Sequence, residues 1–260
     1  MRFRITLVVM MSAVGSGLSS PTFAGEEPTP HAIIDRALKA GGGAENIRLY
    51  KAVSFKAETK IEDTKETVKL SGIFAAPTLF RIKMEKTGIT KEMLMVSGGD
   101  TFWIKEGTET VKEFHNGKDK ATFENMVRIF YGLSLPDQLL VLKRKPYKLT
   151  VVGDQPVNGV QAVALRVNHE LRPEVLLYFD KATSLPVKAQ LKIKLTNAGS
   201  LFRKSSVESL EFFFDDYKEI NGLKHFTKLK MRVGDMSVVF EVRELKLLKT
   251  YDSEMFKKPK

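Results

Sequence analysis

From residue 52 onward, apolar and polar residues alternate with a period of two. Val53, Phe55, Ala57, Thr59 and Ile61 alternate with Ser54, Lys56, Glu58 and Lys60. Val68, Leu70, Gly72 and Phe74 repeat the pattern, as do Phe80, Ile82 and Met84 against Arg81, Lys83 and Glu85. Val187 to Leu195 and Leu229 to Val233 read the same way, with lysines on the polar side. Successive side chains of a strand point to opposite faces, so each segment predicts a strand with one apolar and one wet face, the habit of antiparallel sheets. Asn158-Gly159 and Asn221-Gly222 predict tight hairpins, because both residue types tolerate positive φ, and Gly98-Gly99-Asp100 and Gly234-Asp235 predict further turns. The count comes to about ten strands. Most are not separated by long helices, which argues against a doubly wound α/β fold.

The helical period appears in two places. Ile33, Ile34, Ala37 and Leu38 share a face of a helix predicted over residues 30–40, which Gly41-Gly42-Gly43 stops. A phosphate-cradling loop would precede a helix and end in Lys-Ser or Lys-Thr, which this run does not. Residues 122–131 and 134–143 predict a helix pair, with Phe123, Met126, Val127 and Phe130 on the first and Leu135, Leu139 and Leu142 on the second. So much apolar surface must cover something apolar, and the alternating strands offer it. The expected fold is mainly β (α+β): a strongly curved antiparallel sheet, or incomplete barrel, covered by the N-terminal helix and the central pair.

The first 24 residues read as an export signal. Arg2 and Arg4 precede an apolar run from Ile5 to Leu18 that is too short to span a bilayer comfortably, and Thr22-Phe23-Ala24 places small residues where a signal peptidase cuts. Residues 25–260 are then expected to form one soluble periplasmic domain. The chain has no cysteine, which excludes disulfides, thiolate metal sites and a lipid anchor on an N-terminal cysteine. The net charge is +11, and the signal contributes two Arg and no acid to it. An exported basic protein rarely meets nucleic acid, so an anionic membrane surface becomes the better-matched partner, beside a merely solvated basic surface.

Catalytic chemistry is hard to find. His31, His115, His169 and His225 have no metal-ligand spacing, and the mature chain has neither a G-x-S-x-G elbow nor a G-x-G-x-x-G turn. Asp215-Asp216 follows the apolar Phe212-Phe213-Phe214, but neighbours in a strand diverge, so the pair reads as a strand-end turn before Asn221-Gly222. Trp103 reads as a core or rim aromatic. Lys143-Arg144-Lys145 suits the end of a helix, where cations meet the dipole. No catalytic residue, metal or cofactor is assigned.

The order of features resembles the LolA/LolB-like superfamily of periplasmic lipoprotein carriers, in particular divergent lipoprotein-sorting proteins. The residues concerned are Ile33-Ile34-Asp35-Arg36-Ala37-Leu38-Lys39-Ala40-Gly41-Gly42, then Val152-Gly153-Asp154 through Val157-Asn158-Gly159-Val160-Gln161-Ala162. They continue with Leu177-Tyr178-Phe179-Asp180 through Leu185-Pro186-Val187, Asp216-Tyr217 through Asn221-Gly222-Leu223, and the tail from Asp252 through Phe256 to Pro259. The resemblance implies an incomplete barrel that sequesters acyl chains of lipids or lipoproteins in a hydrophobic cavity, without catalysis. The cavity would be lined by Phe80, Ile82, Met84, Met93, Met95, Leu191, Ile193 and Met231, under a lid of Met126, Val127, Phe130 and Leu139. Thioether side chains adapt to irregular guests. A monomer is expected. The alternative is the same fold with a packed interior, serving as an envelope interaction or sensor module. N-terminal sequencing of the exported protein should begin at Gly25; a mature form that retains Arg2 would overturn the signal assignment.

Overall fold

The computed structural model describes residues 28–61, 67–75, 79–86, 92–109, 111–115, 138–170, 172–195 and 206–259. These residues build one antiparallel sheet of thirteen strands. The first meander is β1 (Ala52–Ile61), β2 (Thr67–Ala75), β3 (Leu79–Lys86), β4 (Met93–Gly98), β5 (Thr101–Glu106) and β6 (Lys112–His115). The second is β7 (Lys148–Asp154), β8 (Ala162–His169), β9 (Arg172–Asp180), β10 (Pro186–Leu195), β11 (Ser206–Ile220), β12 (Leu223–Val233) and β13 (Met236–Leu248). The order across the sheet is β6-β5-β4-β3-β2-β1-β13-β12-β11-β10-β9-β8-β7, so the first and last strands meet in the middle. Among the described residues the sheet does not close: β6 and β7, consecutive in sequence, form its two edges. The predicted lid falls in the connection between these edges, and residues 116–137, including Met126, Val127 and Phe130, lie outside the described residues.

Thirteen strands stand where the pattern suggested about ten. The short edge strand β6 offers a single alternation. In β8 the run Ala162, Val163, Ala164 and Leu165 has no polar member, because both of its faces are buried. Asp215-Asp216 is not the expected strand-end turn either. β11 continues to Ile220, and Asp216, with φ 52°, interrupts the ladder to β12 without shifting its register: Asp216 and Thr227 are left unpaired between Asp215–Lys228 and Tyr217–Phe226. Its carboxylate accepts a 2.7 Å bond from the Thr227 hydroxyl, which with Lys218 holds it below the usual carboxylate range.

Helix α1 (Pro30–Ala40) has the predicted bounds. The Thr29 side chain accepts from the Ala32 amide at its start, and Gly42 and Gly43 take positive φ just past its end. All four of its predicted apolar residues are buried against the sheet. Gly42 also touches the β11–β12 hairpin: a Cβ there would stand 2.1 Å from the Gly222 carbonyl oxygen, and the Lys224 amide donates to Gly41. Two motifs read separately, the glycine run and the Asn-Gly turn, thus pack on each other. A short α2 (Ala44–Arg48) follows. The predicted second lid helix is helical over Leu139–Leu142 (α3), and Lys143 at its end pairs with Asp35 of α1.

Register places Phe80 and Ile82 inward, 3% and 4% exposed, with Met84 half-buried beside them. Arg81 lies on the outer face but not in open water: its guanidinium donates to the Met255 carbonyl, under the C-terminal turn Ser253–Phe256. A one-residue slip of β3 would expose its whole inner set. Ile82→Asp should therefore cost several kcal/mol, as an unpaired buried charge does, whereas Lys83→Gln should leave the melting midpoint near wild type. Equal midpoints for the two variants would refute the register.

Candidate functional site

The site is the inner face of the sheet. In β1 to β5 the register aligns Val53, Phe55, Ala57 and Thr59 with Val68, Leu70, Gly72 and Phe74, then with Phe80, Ile82 and Met84, then Met93, Met95 and Ser97, then Phe102 and Ile104. In the other half, Leu229, Met231 and Val233 face Leu210, Phe212 and Phe214, and the row continues through Ala189, Leu191, Val175 and Leu177 to Leu165 and Val167. Charges on this face sit towards strand ends, as at Glu106 and Lys112.

Five phenyl rings run across the first half. Phe55 stacks on Phe74 at 5.4 Å between centroids, and Phe74, Phe80, Phe102 and Phe114 follow at 6.3, 5.7 and 6.0 Å. Small residues permit the row. Ser97 lies opposite both Phe80 and Phe102, so their rings close over it. Gly72 lies opposite Phe55 and Ile82, and a Cβ there would come within 2.5 Å of the Arg81 carbonyl oxygen. Each aromatic contact adds about 0.5–1.5 kcal/mol to the burial itself.

The expected cavity residues do not form one group. Phe80, Ile82, Met84 and Met95 pack in the cluster of the first meander; Leu191, Met231 and the lid residue Leu139 pack in the cluster of the second. Met93 packs in neither, although register sets it opposite Met84. Ile193 is on β10, but its side chain is outside the described ones. Phe240 of β13 touches both clusters and bridges them. The first-half cluster forms around strands that come together only by folding, and sequence reasoning missed Phe55, Phe74, Phe102 and Phe114 as one row. Their alternation marks the face of each strand, but not which rings stand side by side.

Thr59, like Ser97, is a buried polar residue of this face. It sits between Val68 and Phe240, 6% exposed, and its hydroxyl has no hydrogen-bond partner among the described residues. Sequence alternation counts it with the apolar set, because its shape is that of Val.

The outer face is not uniformly wet. Val157, Ala162, Ala164, Tyr178 and Phe213 form a buried cluster there. The Lys188 ammonium lies 5.1 and 5.3 Å from the Tyr178 and Phe213 centroids and 2.5 Å from Glu211. Burial and the Glu211 charge raise the Tyr178 hydroxyl above its ordinary pKa. Of the four histidines, His31 is exposed, His115 contacts Glu113, His169 stacks near Tyr147 at 4.6 Å, and His225 is buried beside Phe226. Burial and Arg172 lower the His169 pKa. No three His, Asp or Glu side chains converge as a metal group among the described residues. Trp103 lies on the outer face against Gly98, at the rim.

Neither a protein-family model nor a curated protein matches the sequence. Solved structures do. A DUF1329 family protein from Desulfovibrio piger aligns over 89% of this chain and 98% of its own, with a TM-score of 0.54 and 14% identity. A LolA superfamily protein from Nitrosomonas europaea aligns over 88% and 98%, with a TM-score of 0.50 and 12% identity. The chain has the LolA-like fold. At such identities the likeness extends to the backbone path, and the side chains of the inner face are this protein's own.

Replacing the unpartnered hydroxyl by a methyl group removes a desolvated polar atom at constant shape. Thr59→Val should raise stability by about 1 kcal/mol in a urea titration. A loss of that size would show instead that the hydroxyl is bonded in the folded protein.

Proposed function

We propose that the protein is a non-enzymatic carrier that holds acyl chains of lipids or lipoproteins on the inner face of its sheet. The observation that carries the reading is the charge-free interior of that face, built from rings and thioethers. A saturated chain gains about 0.8 kcal/mol per buried CH₂, so a dozen carbons supply about 10 kcal/mol before ordering costs, more than the roughly 8 kcal/mol of a micromolar complex. Met84, Met93, Met95 and Met231 can reshape around such a guest. The LolA-like backbone supports the reading, as does the position of the lid in sequence, between the two open edges. No helix among the described residues is long and apolar enough to cross a membrane. With the export signal read from the sequence, the proposed carrier is a single processed periplasmic domain whose outward partners are an anionic membrane or an envelope protein.

One observation favours the second reading, a packed interaction module: Phe80 and Phe102 are only 3% and 1% exposed. Titration of the full chain with a fluorescent fatty acid separates the two. A carrier should bind the probe saturably, and Met84→Glu, which puts a charge on a half-buried position of the inner face, should abolish binding while Lys230→Glu on the outer face should not. A wild-type protein that takes up no probe would sink the carrier reading and leave the module.

A further inference from the structure

A pocket of about 180 Å³ lies between α1 and the β8–β9 end of the sheet, many strands away from the phenyl row. Its floor is apolar: Ile33 of α1 stands over the directly paired Val163 and Phe179, all three buried. Its mouth is charged, and the charges are unevenly satisfied. Asp154 pairs with Lys181 at 2.5 Å. Asp180 closes its own turn: its carboxylate accepts from the Ala182 amide at 2.8 Å and the Thr183 hydroxyl at 2.6 Å. Both carboxylates are therefore engaged. Arg36, one helical turn after Ile33 and exposed on α1, has no ion pair among the described residues.

We infer that this pocket binds a short-chain carboxylate, with its aliphatic tail on the Ile33–Val163–Phe179 floor and its head on Arg36. A guanidinium presents a planar pair of N–H donors that matches a carboxylate in bidentate fashion. The apolar floor selects against inorganic anions, which would gain nothing from it. The volume, well below the roughly 300–1,000 Å³ of drug-sized sites, limits the guest to a few carbons. The pocket lies at the β8–β9 end of the inner face, and the long acyl chains proposed for the rest of that face do not fit it, so this site does not depend on that reading.

The test is methyl NMR of the full chain, titrated with hexanoate, hexan-1-ol and hexylamine. Hexanoate should shift the Ile33 and Val163 methyl signals saturably and more tightly than either analogue. Arg36→Gln should weaken hexanoate about tenfold, a loss of about 1.4 kcal/mol, without changing hexanol, and Arg36→Lys should recover part of the loss. Arg36 is a surface position on the helix, so these variants keep the fold, which the unperturbed spectrum of the free variant verifies. Equal affinity for hexanol and hexanoate, an Arg36→Gln variant that binds hexanoate as wild type does, or no shift at these methyls would each overturn the proposal. Shifts at Ile82 and Leu191 alone would overturn it too, because they report binding farther along the inner face and not at its β8–β9 end under α1.

Discussion

The pairing of β1 with β13 holds the architecture together. Ten residues of β1, Ala52 to Ile61, match ten of β13, and this one ladder joins the two meanders into a single sheet. Every other ladder links strands adjacent in sequence. Those form locally, whereas this one must close a loop of nearly the whole chain before any hydrogen bond rewards it, so it is the costly step of assembly. The ladder is also irregular. Glu244 pairs with Lys56 and Val242 with Ala57, leaving Arg243 as the extra residue of a bulge. Arg243 spans to Glu58 and Glu241 at 2.8 Å, and the first of these contacts holds the Glu58 carboxyl below its ordinary range. Such exposed pairs contribute little energy, but they mark where the sheet bends at its centre.

Everything functional follows from which residues that ladder brings to one side. It sets Ala57 and Thr59 beside Val242 and Phe240, and Phe240 then joins the phenyl row of one meander to the large cluster of the other. Burial of each phenyl contributes roughly 1.5–3 kcal/mol, so the row is a substantial part of the stability of the first meander. The second meander has α1 and α3 packed on its cluster. The two halves of one continuous face thus differ in character, the first aromatic and thioether-rich, the second aliphatic and helix-covered.

Alternation, turn chemistry and helix capping are local effects, and they were legible without a structure. The period of two marked the inner faces of β1, β2, β3, β10 and β12, because half-buried strands must segregate their side chains. Asn158-Gly159 and Asn221-Gly222 adopt the positive φ values their chemistry allows. Helix α1 begins at its Thr29 cap and ends at its glycines. What depends on partners distant in the chain was decided by the tertiary structure alone. The sequence did not show that Asp216 would take a positive φ inside a strand, since the Thr227 hydroxyl that donates to it lies on the next strand. Nor did it show that Arg81 would be covered by the C-terminal turn, or that Lys188 would sit over two rings of the outer face. The division of the expected cavity residues between two clusters, and the pocket where Arg36 overlooks the Val163–Phe179 pair, arise only when α1 and β7 to β9 meet. A side chain's face is set by its neighbours one and two residues away; what stands opposite that face is set by strand order, which no local pattern encodes.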